Sequence, residues 1–259
     1  TGWLYRALEV LPHANDAQYA YALGSGVPLV LRGPEVVGSW APDRLPAPDE
    51  GTMARVMALY QEDERLGPKL QAAFEGDEMA GRLPTGGGAN QLGSIARAAA
   101  RFLSNPDGPR VAVLDSVGWD THARQGAAEG QLATRFAALD GVLGELRTAM
   151  GMHWRETVVA VVTEFGRTVA MNGTRGSDHG YGGAAFVLGG AVRGGHVIAD
   201  WPGLGAGRLH EGRDLLATTD MRALFAGVLT DHMGVESNAV ADVVFPGYKE
   251  VLANLVVTA

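Results

Sequence analysis

The sequence predicts an α/β fold. Two β-branched runs, VAVLD at 111–115 and TVVAVVT at 157–163, have the composition of buried strands. Between them, residues 128–150 place Leu132, Phe136, Leu139, Val142, Leu143 and Leu146 on one side of a long helix. Strand, long helix and strand form a βαβ unit, for which parallel neighbours and a right-handed crossover are expected. A third run, AAFVLGG at 184–190, supplies a further strand.

Apart from that unit, the elements follow in chain order. Trp3, Leu4, Leu8 and Leu11 make a helical stripe over 2–11, stopped by Pro12. Residues 17–31 read as two short strands, one in AQYAYALG and one in VPLVLRG. Four of the 12 prolines fall in 33–50, which reads as a loop. Thr52 is placed to cap a helix running to about Leu66, and a second helix covers 68–80. LPTGGGAN is a turn, and 90–104 is a helix ended by Asn105-Pro106. Residues 219–233 form another helix. The chain is read as a single domain over 1–259, with a mainly helical part at 1–105 and an α/β core at 106–259.

The totals exclude several classes. With 46% hydrophobic and 19% charged residues the chain can build a core and is not a disordered polypeptide. A net charge of −8 offers no general attraction to a polyphosphate backbone, so nucleic acid is not expected as a partner. There is no cysteine, hence no disulfide, no thiolate nucleophile and no thiolate metal site. No apolar run reaches the ~18 residues of a membrane span.

The chemistry gathers at strand ends, where open α/β sheets bind ligands. After VAVLD come Asp115, Asp120 and His122, in DSVGWDTH. After TVVAVVT come Glu164 and Arg167, in TEFGRT, and before AAFVLGG come Asp178 and His179. Singly, each has an ordinary explanation: a cap beside a surface histidine, a weak surface ion pair, a chance triplet. Together, on one rim of one sheet, they supply several carboxylates and two imidazoles, which are ligands for zinc, manganese or iron. Crowded carboxylates repel unless a proton or cation intervenes, so the cluster implies a divalent metal. Arg167 has the planar fork that matches an oxyanion. Glycines 173, 176, 180, 182 and 183 let backbone pass close to such a site.

Five ordered motifs carry a resemblance: GWDTH, TEFGRT, the run from Asn172 to Gly180, VLGGAVRGGHVIADWPGL and RDLLATTDMRALFAGVL. Together they resemble the domain-of-unknown-function 1501 family. That family is grouped with the alkaline-phosphatase-like superfamily, which includes phosphatases, sulfatases and phosphomutases. The resemblance implies a three-layer α/β/α sandwich with a mostly parallel sheet. It implies a divalent metal, with zinc ahead of manganese, iron or calcium. The substrate would be a small-molecule or polymer phosphate, sulfate or related ester. Asp120, His122, Asp178 and His179 would be metal ligands, Glu164 a ligand or general base, and Arg167 the oxyanion clamp. It implies bacterial export by a twin-arginine signal to the periplasm or beyond. It also implies an N-terminal stretch ahead of Thr1 that carries the first strand and the nucleophile. The competing expectation is a non-catalytic exported protein that keeps the fold for binding or assembly. Ser177 stands where the family pattern has Thr, and Tyr181 where it often has His.

Overall fold

A computed structural model describes residues 1–11, 19–24, 26–34, 36–42, 49–81 and 89–256. These fall into two compact units. Residues 1–9, 13–115 and 141–151 make the first, and 10–12, 116–140 and 152–259 the second.

The first unit is built on a parallel sheet. Strand β1 (Ala20–Leu23) lies between β2 (Gly38–Trp40) and β3 (Val111–Leu114) and is parallel to both. All four β1 residues are buried, as expected of a central strand. Helix α1 (Trp3–Leu8) precedes the sheet, and α2 (Glu50–Tyr60), α3 (Gly67–Ala80) and α4 (Ala89–Ser104) lie between β2 and β3. Helix α4 packs on β1 and β3. Its alanines 96, 98, 99 and 100 are fully buried, and such small side chains let the helix approach the sheet closely. Phe102, also fully buried, meets Tyr21 at 4.8 Å and Trp40 at 6.3 Å between ring centroids. The Trp40 indole donates to Asp77 Oδ1 at 2.8 Å, which satisfies its one polar atom.

The second unit holds two antiparallel ribbons. β4 (Val159–Val161) pairs with β7 (Phe186–Leu188), in the register Val159 to Leu188 and Val161 to Phe186. β5 (Gly166–Arg167) pairs with β6 (His179–Gly180). Val158, Ala160 and Val187, from and beside the first ribbon, pack with Leu224, Phe225 and Val228 of helix α6 (Met221–Asp231) and with Leu255 and Val256. Asp220 caps α6 by accepting from the Arg222 amide. A short helix α7 (Ser237–Ala239) runs into a π-type turn at Val240–Val244. The long helix α5 (Gln131–Met150) contributes its first ten residues to this unit and the rest to the other.

Several elements depart from expectation. VPLVLRG is not a strand but a 3₁₀ turn at Leu29–Leu31, because Pro28 feeds it directly. The proline-dense stretch read as loop contains β2. The cap of α2 is Asp49, whose carboxylate accepts from Thr52 N at 2.9 Å, and Thr52 is the third residue of the helix. Helix α1 ends at Leu8, short of Leu11. The expected pairing of 111–115 with 157–163 does not form among the described residues. β3 pairs with β1, and β4 pairs antiparallel with β7. The three chemistry-bearing loops therefore do not border one sheet. The LPTGGGAN turn lies almost wholly outside the described residues. What stands is a mixed α/β protein with a parallel three-stranded sheet and helices.

Candidate metal centre

Two loops of the second unit are zipped together by their backbones. Arg124 N donates to Thr174 O at 3.0 Å, Gln125 N to Arg175 O at 2.9 Å and Ser177 N to Thr121 O at 3.3 Å. The contact is close because residue 176 is glycine; a Cβ there would overlap the His122 carbonyl. Between the loops, Thr121 and Ser177 are buried, and both hydroxyls donate to Gln125 Oε1, at 2.8 and 2.6 Å. That closure carries Asp120 and His122 from one loop toward Asp178 and His179 from the other.

The β5–β6 ribbon sets the other side. Arg167 is paired with His179 across it. The Arg167 guanidinium donates through Nη1 to Ser177 O at 2.6 Å, and through Nη2 to Trp119 O at 2.6 Å and Asp120 Oδ1 at 2.9 Å. One cation thus grips both loops. The guanidinium also lies over the Phe165 ring, 4.9 Å from its centroid. Phe165 stacks on His179 at 4.1 Å and 9°, and His179 on His122 at 5.0 Å and 28°.

Asp120 Oδ1 is the point of convergence. It lies 2.8 Å from His122 Nε2, 2.8 Å from His179 Nε2 and 2.9 Å from Arg167 Nη2. The hydrogen bond with His179, supported by the charge of His122 and the bond from Arg167, holds the Asp120 carboxyl below the usual carboxylate range; partial desolvation opposes this. Asp120, His122 and His179 offer one donor atom each, all within 4.8 Å of one another. Their side chains are about half exposed, at 48% to 53%, so solvent and solutes reach them.

The other predicted site residues sit differently. Asp178 Oδ1 lies 3.1 Å from His122 Nδ1, the ring nitrogen that does not face Asp120. Asn172 Nδ2 donates to the same Asp178 oxygen at 2.9 Å, and this bond, followed by the one with His122, lowers the Asp178 carboxyl. Glu164 is exposed and stands outside the group of three. Arg167, expected as a clamp for an oxyanion, spends both terminal nitrogens on protein acceptors. Tyr181 is exposed and stacks on His210 at 4.3 Å.

Sequence reasoning missed Asn172, Phe165 and Gln125. Asn172 is the centre of its loop. Its Oδ1 accepts from Thr174 N at 3.0 Å and Gly176 N at 2.9 Å, while Nδ2 also donates to His122 O at 2.9 Å. The available signal was an asparagine ahead of glycines, a residue type that turns its own backbone two positions on. Phe165 and Gln125 gave no signal of chemistry, since neither is a metal ligand or an acid–base group.

The donor set suits a divalent cation. Two imidazole nitrogens and a carboxylate, with solvent access for further ligands, match zinc or another first-row ion without thiolate. Among the described residues no helix is long and apolar enough to cross a membrane. Comparison with curated proteins and with solved structures gives no match. The family model described as "Protein of unknown function (DUF1501)" matches residues 1–244, so the chain belongs to that family.

Proposed function

We propose that Asp120, His122 and His179 bind a divalent metal ion, zinc first among the candidates, and that the site serves hydrolysis of a phosphate, sulfate or related ester. One observation carries the reading. Two imidazole Nε2 atoms each stand 2.8 Å from a single carboxylate oxygen. An ionised carboxylate only accepts, so each of these contacts needs a proton or a shared cation to be favourable. Bound there, a divalent ion would supply Lewis-acid polarisation of the ester oxygen and acidify water.

The chain's own residues would do the rest. Asp120 holds negative charge at the convergence point. Arg167 locks the Trp119 and Ser177 carbonyls, and with them both loops, in register. Phe165 and His122 hold His179 by stacking. Glu164, exposed at the turn before the β5–β6 ribbon, would exchange protons with water as a general base. The alkaline-phosphatase-like sandwich, and export to the periplasm or medium, belong to this proposal through the motif resemblance.

A second reading is a binding or assembly protein that keeps the metal site without turnover. It is favoured by the hydroxyls that flank the ligands. Thr121 and Ser177 are buried and both committed to Gln125, so neither is available as a nucleophile.

The deciding experiment is elemental analysis of the purified protein, followed by zinc and manganese titration of the chelated protein. Unaltered protein and His179→Ala are then compared on chromogenic phosphate and sulfate esters. The hydrolase reading expects bound metal and turnover, both lost in His179→Ala. Metal lost in the variant with no turnover in either form supports the second reading. Metal that binds His179→Ala as tightly as the unaltered protein removes both.

A further inference from the structure

We infer that Asp178 is not a metal ligand but a positioning residue: with Asn172 it fixes the tautomer of His122, so that Nδ1 carries the proton and Nε2 presents its lone pair to the ion. The inference rests on the metal site proposed above and assigns Asp178 and Asn172 a role within it.

The orientation of the Asn172 amide is determined by its neighbours. Its side-chain oxygen faces two groups that can only donate, Thr174 N at 3.0 Å and Gly176 N at 2.9 Å. Its nitrogen faces two groups that can only accept, His122 O and Asp178 Oδ1, both at 2.9 Å. A flipped amide would face oxygen to oxygen and N–H to N–H at all four contacts, so only one orientation is compatible with the network.

With the amide so placed, Asp178 Oδ1 accepts one bond from Asn172. The same oxygen lies 3.1 Å from His122 Nδ1. An ionised carboxylate has no proton to give, so the hydrogen on this contact belongs to Nδ1. In the neutral ring that leaves Nε2 unprotonated, and Nε2 is the atom aimed at Asp120 Oδ1, 2.8 Å away. The His122 backbone is held too, because Asn172 Nδ2 and Thr174 Oγ1 both donate to its carbonyl, at 2.9 and 2.7 Å.

Asp178 and His179 are neighbours in an extended segment, where successive side chains point to opposite sides. His179 reaches Asp120, and Asp178 reaches the far nitrogen of His122. Carboxylate, imidazole and ion in sequence is the arrangement by which an outer partner sets the basicity and direction of a histidine ligand.

The test uses the full chain, Zn2+ and Co2+ as probes, and four variants: Asp178→Asn, Asp178→Ala, Asn172→Asp and His179→Ala. Affinity is read by calorimetry, coordination by the visible spectrum of the Co2+ form, and the His122 tautomer by 15N NMR of the Zn2+ form. Asn172→Asp keeps the side-chain shape and the oxygen that accepts from Thr174 and Gly176. It replaces the donor facing Asp178 with an acceptor.

The expected result is a loss of roughly 10- to 100-fold in Zn2+ affinity for Asp178→Ala and for Asn172→Asp. Asp178→Asn, which still offers an oxygen to Nδ1–H, falls between Asp178→Ala and the unaltered protein. The Co2+ spectrum keeps its shape throughout, and His122 is protonated at Nδ1. Three results overturn the inference while leaving the metal site standing: unchanged affinity in Asp178→Ala, a Co2+ spectrum showing a lost ligand, or His122 protonated at Nε2. Failure of the unaltered protein to bind either ion, or undiminished binding by His179→Ala, overturns the metal site and the inference with it. Near-ultraviolet circular dichroism checks that each variant is folded; if Asp178→Ala is not, the near-isosteric Asp178→Asn and Asn172→Asp decide.

Discussion

Arg167 Nη2 donates to both the backbone carbonyl of Trp119, at 2.6 Å, and the carboxylate of Asp120, at 2.9 Å. The same guanidinium reaches Ser177 O at 2.6 Å through Nη1. A charged group that spans two loops does more than one salt bridge: it ties the Ser177 carbonyl of one loop to Asp120 and the Trp119 carbonyl of the other, which also accepts from Thr121 N at 3.0 Å.

Replacing Arg167 therefore acts first on stability. Arg167→Ala is expected to cost about 3 kcal/mol, from charged hydrogen bonds lost at Asp120, Trp119 O and Ser177 O. Arg167→Lys recovers little of this, since one ammonium cannot reproduce a planar fork across two carbonyls. Thermal melts of the metal-free proteins measure the effect. A melting temperature unchanged in Arg167→Ala would mean that the guanidinium does not brace these loops.

Two glycines of one loop should respond in opposite ways. At Gly176 an added Cβ meets the His122 backbone, which cannot swing aside; at Gly173 nothing lies within 4 Å. Gly176→Ala is expected to lose about 3 kcal/mol by overpacking, and Gly173→Ala to stay within about 0.5 kcal/mol of the parent. Urea denaturation of the pair gives the comparison, and equal midpoints would contradict the close loop contact.

Burial pushes the His232 imidazole below its ordinary value of 6.5. As pH falls, the unfolded chain takes up this proton before the folded one. The contribution is therefore fully present above pH 6.5 and is lost as pH falls through the lower folded value. Melts between pH 7.5 and pH 5 should show a decline that is smaller in His232→Gln. A parallel decline in both would remove His232 as its source.

The cap of α6 carries a lower pH signature. The hydrogen bond from the Arg222 side chain, aided by its backbone amide, holds the Asp220 carboxyl below 3.8. Its stabilisation is present above that value and disappears as pH falls through the folded one. Asp220→Ala should cost about 1 kcal/mol at neutral pH. The gap from the parent should narrow in acid, read by melts at pH 7 and pH 3.

That Asp120, His122, Asp178 and His179 meet was legible for a physical reason. Asp120 and His122 are two apart, and in extended chain they point to the same side. Asp178 and His179 are adjacent, and they reach different partners: His179 meets Asp120 Oδ1, and Asp178 meets the other ring nitrogen of His122. The partners that hold the trio were harder to read. Asn172, Gln125 and the Trp119 carbonyl act through hydrogen bonds whose counterparts lie up to 52 residues away in sequence. Local pattern carries no trace of such pairs. The sheet shows the same limit. VAVLD is a strand, as its composition says, yet its neighbour β1 comes from before the helices rather than after. Pairing partners are chosen by packing, which a run of valines does not encode.

Trp119 gives the site a built-in optical reporter. Its indole Nε1 donates to Ser116 at 2.9 Å, its ring meets Phe136 edge-on at 5.1 Å, and its carbonyl is in the grip of Arg167. Because the next residue is Asp120, an ion drawn to that carboxylate tugs on the peptide that carries the indole. Emission recorded during zinc titration, with Trp119→Phe subtracted to remove Trp3, Trp40, Trp154 and Trp201, should follow occupancy without any added dye.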